Sequence, residues 1–151
     1  MANLVGEYEC KLDAKGRFLF PAGLRKQLDP AAQETFMINR GFEPCLTIYP
    51  MNEWDKISAK LSKLNLFKAE NRKFFRLFHN GANSLNLDNA GRILLPKQLM
   101  SYAGITKVIV ATAYADRVEI WDKERYEQMM ADEASDFADL ADKVMGDLDG
   151  E

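Results

Sequence analysis

Polar and apolar residues alternate from Glu7 to Leu12 (Glu-Tyr-Glu-Cys-Lys-Leu), the two-residue period of a strand with one buried face. A short apolar run, Phe18 to Phe20, follows a turn containing Gly16, and the two segments together read as a β-hairpin. Pro21 then opens a short helix over Ala22–Leu28 from the N1 position, where proline loses no intrahelical bond. Thr35–Asn39 and Leu46–Tyr49 read as strands around a turn at 41–44. Beyond Pro50, the residues Trp54, Ile57, Leu61 and Leu64 recur at helical spacing.

The same order then returns. Asp13-Ala14-Lys15-Gly16-Arg17-Phe18-Leu19-Phe20-Pro21 reappears 75 residues later as Asp88-Asn89-Ala90-Gly91-Arg92-Ile93-Leu94-Leu95-Pro96. Cys45-Leu46-Thr47-Ile48-Tyr49 is echoed 72 residues on by Arg117-Val118-Glu119-Ile120-Trp121, with Tyr126 in the place of Trp54. Two similar stretches in one order at nearly one offset mean an internal duplication. In the second copy Pro96 opens a helix over Lys97–Ala103 that Gly104 closes, Val108–Ala113 and Val118–Trp121 are strands, and Asp122 is placed to N-cap the last helix.

Each copy is therefore β-β-α-β-β-α and the fold class is α+β. A repeat of about 60 residues can barely bury a core alone, so the copies are expected to fold together as one domain over residues 1–131. Repeat one covers 5–64, a connecting helix 67–80, and repeat two 81–131. The connecting helix carries Lys68, Arg72 and Arg76 on one face and Phe74, Phe75 and Phe78 on the other. Residues 132–151, rich in aspartate and poor in large apolar residues, read as a frayed helix or flexible acidic tail.

Composition is that of a soluble globular protein, 47% hydrophobic and 28% charged. No apolar run approaches the roughly 18 residues of a membrane span, and the N-terminus lacks a secretory pattern, so a cytosolic protein is expected. Cys10 and Cys45 have no CxxC spacing and read as small buried hydrophobes in a reducing compartment. The net charge of −3 is uneven. Residues 132–151 hold eight acids and one lysine, −7, which leaves 1–131 at +4. A mildly basic body suits a polyanion without requiring one.

Catalysis finds little support. His79 is the only histidine, which excludes a multi-imidazole metal site and a Ser-His-Asp set in each half. Dinucleotide and Walker A glycine motifs are absent from the sequence. Asp13 and Asp88 sit in turns beside basic residues that keep them ionised, which does not suit acid–base work. The sequence is read as having no catalytic or metal residue, no cofactor and no small-molecule substrate.

The Asp-x-x-x-Arg pairs carry two readings. Structurally, Asp13 and Asp88 accept backbone bonds in the turn, Gly16 and Gly91 supply positive φ, and the arginine pairs with the aspartate. Functionally, a stiff hairpin tip presents Arg17 or Arg92 outward, with Lys15 and Arg25 extending the first cluster and Lys97 the second. A two-stranded ribbon fits the major groove, where arginine bonds guanine and lysine bonds phosphate. Lys56, Lys60 and Lys63 line one helical face that reads as solvated, and Trp54, Trp121 and the Phe74, Phe75, Phe78 group as core or subunit interface.

DAKGRFLFPAGLRKQL, DNAGRILLPKQLMSYAGI, CLTIYPMNEW and VEIWDKERY closely resemble the MraZ family of bacterial transcriptional regulators over about residues 1–130. The resemblance implies an AbrB-like swapped-hairpin β-barrel with peripheral helices, its two repeats interlocked about a pseudo-twofold axis. It implies a sequence-specific regulator that binds repeated boxes in the promoter of its own division and cell wall operon, and that assembles as a ring-shaped homo-oligomer. Its partners would be double-stranded DNA and itself, without a membrane, in the cytoplasm and at the nucleoid. The motif falls on Asp13, Arg17, Asp88 and Arg92, and Arg25 matches a basic position of AbrB-type units.

Met100 replaces Arg25 in the second copy and Ala90 replaces Lys15, so the first copy is expected to face DNA more than the second. The acidic tail is expected to compete with DNA for the cationic tips. An adaptor that grips a protein through the same hairpins is the alternative.

Overall fold

Strand β1 (Leu4–Lys11) does not turn back on its neighbour in sequence: all eight of its residues pair antiparallel with β7 (Val108–Ala115) of the second repeat. In the computed structural model, which describes residues 3–150, the equivalent strand of repeat two, β5 (Asn83–Asn86), pairs in turn with β3 (Thr35–Arg40) of repeat one. The first two residues of the expected body and the last residue of the acidic tail lie outside the described residues. The local hairpin predicted from 7–12 and 18–20 is thus replaced by an exchange. Its turn is closed, with Asp13 N–H donating to Arg17 O (2.8 Å) and Gly16 N–H to Asp13 O (3.0 Å), but the strands beyond it lie against the other repeat.

The remaining strands complete a pseudo-twofold. β4 (Leu46–Pro50) and β8 (Arg117–Asp122) pair across the centre of a six-stranded antiparallel sheet ordered β1-β7-β8-β4-β3-β5. Thr47 stands opposite Glu119, its own counterpart in the other copy. The short strands β2 (Arg17–Leu19) and β6 (Arg92–Leu94) form a separate ribbon in which Phe18 faces its counterpart Ile93. Mixed α+β architecture and interlocked halves agree with the AbrB-like class.

Between sheet and ribbon lies one core. Phe18, Phe20 and Leu24 meet Ile93, Leu95 and Leu99, the matching residues of repeat two, together with Phe36, Ile38, Ile48, Ile109 and Ile120. Burial of a side chain of this size is worth about 1.5–3 kcal/mol, and neither repeat could bury its inward face without the other. Cys45 is fully buried and Cys10 half-buried; burial is the main cause that pushes the Cys10 thiol up to about 11 and raises the Cys45 thiol further.

Helices cap the sheet. Pro21 and Pro96 stand at the N-cap rather than the first helical position, with ψ of 129° and 133°, and their carbonyls accept from Arg25 and Met100 N–H at 3.0 Å. Helix α1 is only Ala22–Arg25, its predicted continuation to Leu28 being a looser turn. Helix α2 (Met51–Leu61) and the connecting helix α3 (Ala69–His79) bring Trp54 and Phe78 into a stack 5.6 Å apart, which with Tyr49 makes a small second core. In repeat two α4 (Lys97–Ala103) ends at Gly104.

Asp122 does stand at the N-cap of α5 (Lys123–Glu133), but makes no cap bond; its carboxylate accepts from the Thr106 N–H and hydroxyl at 3.3 and 3.2 Å. Helix α6 (Phe137–Asp149) follows, with no buried residue. None of the described helices is long and apolar enough to cross a membrane.

Candidate nucleic-acid interface

The two Asp-x-x-x-Arg turns lie at the two ends of the β2–β6 ribbon, and their geometry is nearly identical. Asp13 Oδ1 accepts from Lys15 N–H (3.0 Å) and Arg17 N–H (2.9 Å), while Oδ2 accepts Arg17 Nε–H at 2.7 Å. Asp88 does the same with Ala90 N–H, Arg92 N–H and Arg92 Nε–H, each at 2.9 Å. The bond from the Arg17 backbone N–H, and that from Arg92 at the other turn, is the chief reason these carboxyls sit below their ordinary value.

Each turn is also held by the other repeat. The Gly16 carbonyl accepts from Leu95 N–H and the Gly91 carbonyl from Phe20 N–H, both at 3.0 Å. Gly16 and Gly91 have φ of +86° and +80°, values that L-residues with a Cβ rarely adopt.

This arrangement aims the arginines. Since Nε is taken by the aspartate, each guanidinium is fixed in direction while its two terminal nitrogens keep their donors. Among the described residues these terminal groups form no hydrogen bond; Arg92 Nη1 only approaches Asp13 Oδ2, at 4.0 Å. The structural and functional readings of the pair therefore coexist in one geometry: the aspartate both closes the turn and orients the arginine.

On the outer face of the ribbon Arg17 lies opposite Leu94, and Leu19 opposite Arg92. Leu19 and Leu94 are 63% and 52% exposed, while Phe18 and Ile93 between them point into the core. The face is therefore a checkerboard of two arginines and two leucines. The sequence reading passed over the leucines, although the period-two alternation through the buried Phe18 and Ile93 was enough to place them outward.

The flanking cations are distributed differently from the expected grouping by copy. Arg25, assigned to the first cluster, lies over the second turn: a Cβ placed on Gly91 would stand 3.1 Å from Arg25 Nη1. Met100, its counterpart, lies over the first turn, its sulfur 3.4 Å from the corresponding position on Gly16. Lys97 of the second copy shares a shallow cleft with Lys15 and Gly16 of the first. The cause is the strand exchange, which sets the helix of each repeat against the turn of the other.

Arg25 is moreover engaged by Glu34, through Nε to Oε2 and through Nη2 to Oε1 at 2.9 Å, a partner that no spacing in the sequence revealed. Lys15 and Lys97 form no salt bridge among the described residues. No group of three or more His, Cys, Asp or Glu able to hold a metal ion occurs among the described residues. His79 lies at the end of α3, stacked on Phe75 at 4.1 Å with its Nδ1 2.8 Å from Phe75 O.

A family model described as "MraZ protein, putative antitoxin-like" matches residues 4–77 and again 78–147. A protein of Christiangramia forsetii named Transcriptional regulator MraZ is 49% identical over 99% of both chains. One from Flavobacterium psychrophilum with the same name is 46% identical, covering 98% of this chain and 95% of its own. A third, from Lactobacillus delbrueckii subsp. bulgaricus, is 44% identical over 96% of each.

Proposed function

The chain belongs to the MraZ family, and from that premise we propose that it is a DNA-binding transcription regulator, without enzymatic activity, whose reading head is the β2–β6 ribbon. The observation that carries the reading is the pair of guanidinium groups, each fixed at Nε by Asp13 or Asp88 and with no hydrogen bond at its terminal nitrogens among the described residues, at opposite ends of one rigid ribbon.

A two-stranded ribbon fits the width of the major groove, and terminal guanidinium nitrogens match the O6 and N7 acceptors of guanine. Fixing the arginine beforehand reduces the side-chain entropy lost on binding. Lys15 and Lys97 supply phosphate contacts; Arg25, neutralised by Glu34, contributes less. Leu19 and Leu94 fill the space between the arginines and meet the apolar C5-methyl groups of thymine.

The targets are repeated short boxes in the promoter of the chain's own division and cell wall operon, and the working form is a ring-shaped homo-oligomer at the nucleoid. A ring suits a body of only +4, since many weak cationic heads engaging spaced boxes act as one avid contact.

Fluorescence anisotropy with the chain's own upstream DNA and with random duplex, over a range of salt, tests this. Arg17→Ala and Arg92→Ala should each weaken promoter binding by roughly tenfold or more, with the melting temperature little changed because an exposed ion pair contributes little. Equal promoter binding by both variants overturns the role of the ribbon. Absence of duplex binding at low salt favours the adaptor reading.

A further inference from the structure

Most of the body's positive charge lies away from the ribbon. Between Lys56 and Arg76 there are seven cations and one acid, Glu70, a net of +6, so the rest of residues 1–131 carries −2. That stretch is the hairpin of α2 and α3, helices of 11 residues that are each about 16 Å long. All seven cations are exposed. Trp54, Ile57 and Leu61 of α2 and Phe78 of α3 pack with Tyr49 and Met37 of the sheet, which leaves Lys60, Lys63, Lys73 and Arg76 on the outer side. Arg72 braces the frame: its Nη1 donates to Leu66 O and Phe67 O, both at 2.9 Å, while Asn71 Nδ2 donates to Asn65 O at 3.0 Å. These bonds tie the turn between the helices to the start of α3 and fix the array. Lys56 pairs with Glu53 at 3.1 Å; among the described residues Lys60, Lys63, Lys68, Lys73 and Arg76 form no salt bridge.

The two cationic surfaces lie on opposite faces of the sheet. Along β3, Phe36 and Ile38 enter the core beneath the ribbon, while Met37 between them packs under the hairpin with Trp54 and Phe78. A duplex lying along the ribbon is thus separated from the hairpin by the thickness of the sheet.

We propose that the α2–α3 hairpin is a second, sequence-independent contact for double-stranded DNA, taking a stretch of duplex other than the one the ribbon reads. This rests on the DNA-binding reading above and adds a surface to it. Charge density selects the occupant. A duplex presents one negative charge per about 1.7 Å, roughly nine along one of these helices, whereas α6, the acidic helix of the chain itself, carries a net of −3 along about 20 Å. The chemistry suits phosphates rather than base edges. Four of the five cations without a salt bridge are lysines, compact charges on flexible stems, and none is held by a carboxylate as Arg17 and Arg92 are. Counterion release from such a surface gives affinity without sequence preference. The ribbon then reads its box while the hairpin keeps another stretch of duplex close.

The test is fluorescence anisotropy of the full chain on random duplex over a range of salt, beside the promoter fragment. Lys60→Gln, Lys63→Gln, Lys73→Gln and Arg76→Gln combined should lower the slope of log K against log salt by about two to four units and weaken random-duplex binding at low salt by roughly tenfold or more. The melting temperature should stay unchanged and the preference for the promoter should rise. Arg17→Ala with Arg92→Ala should do the reverse, removing the preference and keeping most of the random-duplex slope. A photo-reactive group on Ser62→Cys, beside Lys63, should cross-link to duplex in the wild-type and the ribbon-variant backgrounds, and one on Ser135→Cys in the acidic stretch should not; Cys45 is buried and Cys10 half-buried, which keeps the background low. An unchanged slope in the fourfold variant overturns the proposal and leaves the ribbon reading standing. So does a fourfold variant that loses oligomer mass without any duplex cross-link from position 62, which assigns the hairpin to an acidic surface of a second copy. A wild type that binds no duplex at low salt overturns the DNA-binding reading as well.

Discussion

Arg92 Nη1 stands 4.0 Å from Asp13 Oδ2, the same oxygen that accepts Arg17 Nε–H at 2.7 Å. Two motifs 75 residues apart in the chain are thereby one cluster. The ribbon between them is only three pairs long, so its antiparallel strands bring the end of one turn against the beginning of the other. Asp13 thus lies near both guanidinium groups, and a change in the second turn should be read out at the first.

The cluster fixes a pH dependence. Asp13 and Asp88 are held below their ordinary value of 3.8, first by the backbone N–H of Arg17 and Arg92, with burial opposing and the guanidinium bonds assisting. A carboxyl depressed in the folded state takes up its proton at lower pH than in the unfolded chain, so its contribution is complete above 3.8 and is lost as pH falls below it. Promoter binding should therefore show no titration from these groups between about pH 5 and 8. Carbon-13 NMR of the two carboxyls should give midpoints under 3.8, rising toward it in Arg17→Ala and Arg92→Ala.

Glu34 should act as a brake on DNA binding. It occupies Arg25 through two bonds while that guanidinium lies over the Gly91 turn. Glu34→Gln frees the cation, and the plot of log K against log salt should steepen by about one unit, with tighter binding at low salt. Arg25→Ala in the wild-type background should cost less affinity than Arg17→Ala. An unchanged slope for Glu34→Gln would remove Arg25 from the interface.

Leu19 and Leu94 should report on thymine. Replacing thymidine by deoxyuridine throughout the promoter fragment removes the C5-methyl groups and leaves every hydrogen-bonding edge in place. The wild type should bind the substituted fragment several-fold more weakly. In the Leu19→Ala, Leu94→Ala double variant that difference should shrink toward none, which separates methyl contact from any change in DNA shape.

Gly91→Ala and Gly16→Ala should each destabilise the fold by about 1–3 kcal/mol in urea unfolding, since a non-glycine residue is strained at these positive φ values. Gly91→Ala should be the more damaging to DNA binding. Its new methyl would press on Arg25 Nη1 at 3.1 Å, whereas at Gly16 it meets a flexible methionine sulfur at 3.4 Å.

Much of this was legible in advance. The alternation around Phe18 and Ile93, the glycines, the prolines and the repeated order of elements are local properties, and local propensity with side-chain periodicity fixed which segments would be strands and which face would turn inward. The family resemblance rested on the same strings. The N-cap position of the two prolines and the short α1 differ by a residue or a turn, because helix ends depend on which carbonyl finds a donor.

Partnership was legible only through the family resemblance, which implied interlocked repeats; the strand pattern itself did not give it. Glu7 to Leu12 carries a strand pattern that suits any neighbour with a complementary face, so nothing in it tells whether β1 pairs with β2 or with β7. That choice belongs to the whole core, where each repeat buries its apolar face only against the other. Once the strands are exchanged, the rest follows: Arg25 comes to the second turn, Lys97 to the first, and Arg92 to Asp13. The two turns, and the pairing that holds their arginines, can be read from the chain alone, because those bonds close within five residues. That the two turns form one face is a property of the packed fold, because it depends on contacts between segments far apart in the chain whose free energy is gained only when the halves pack together.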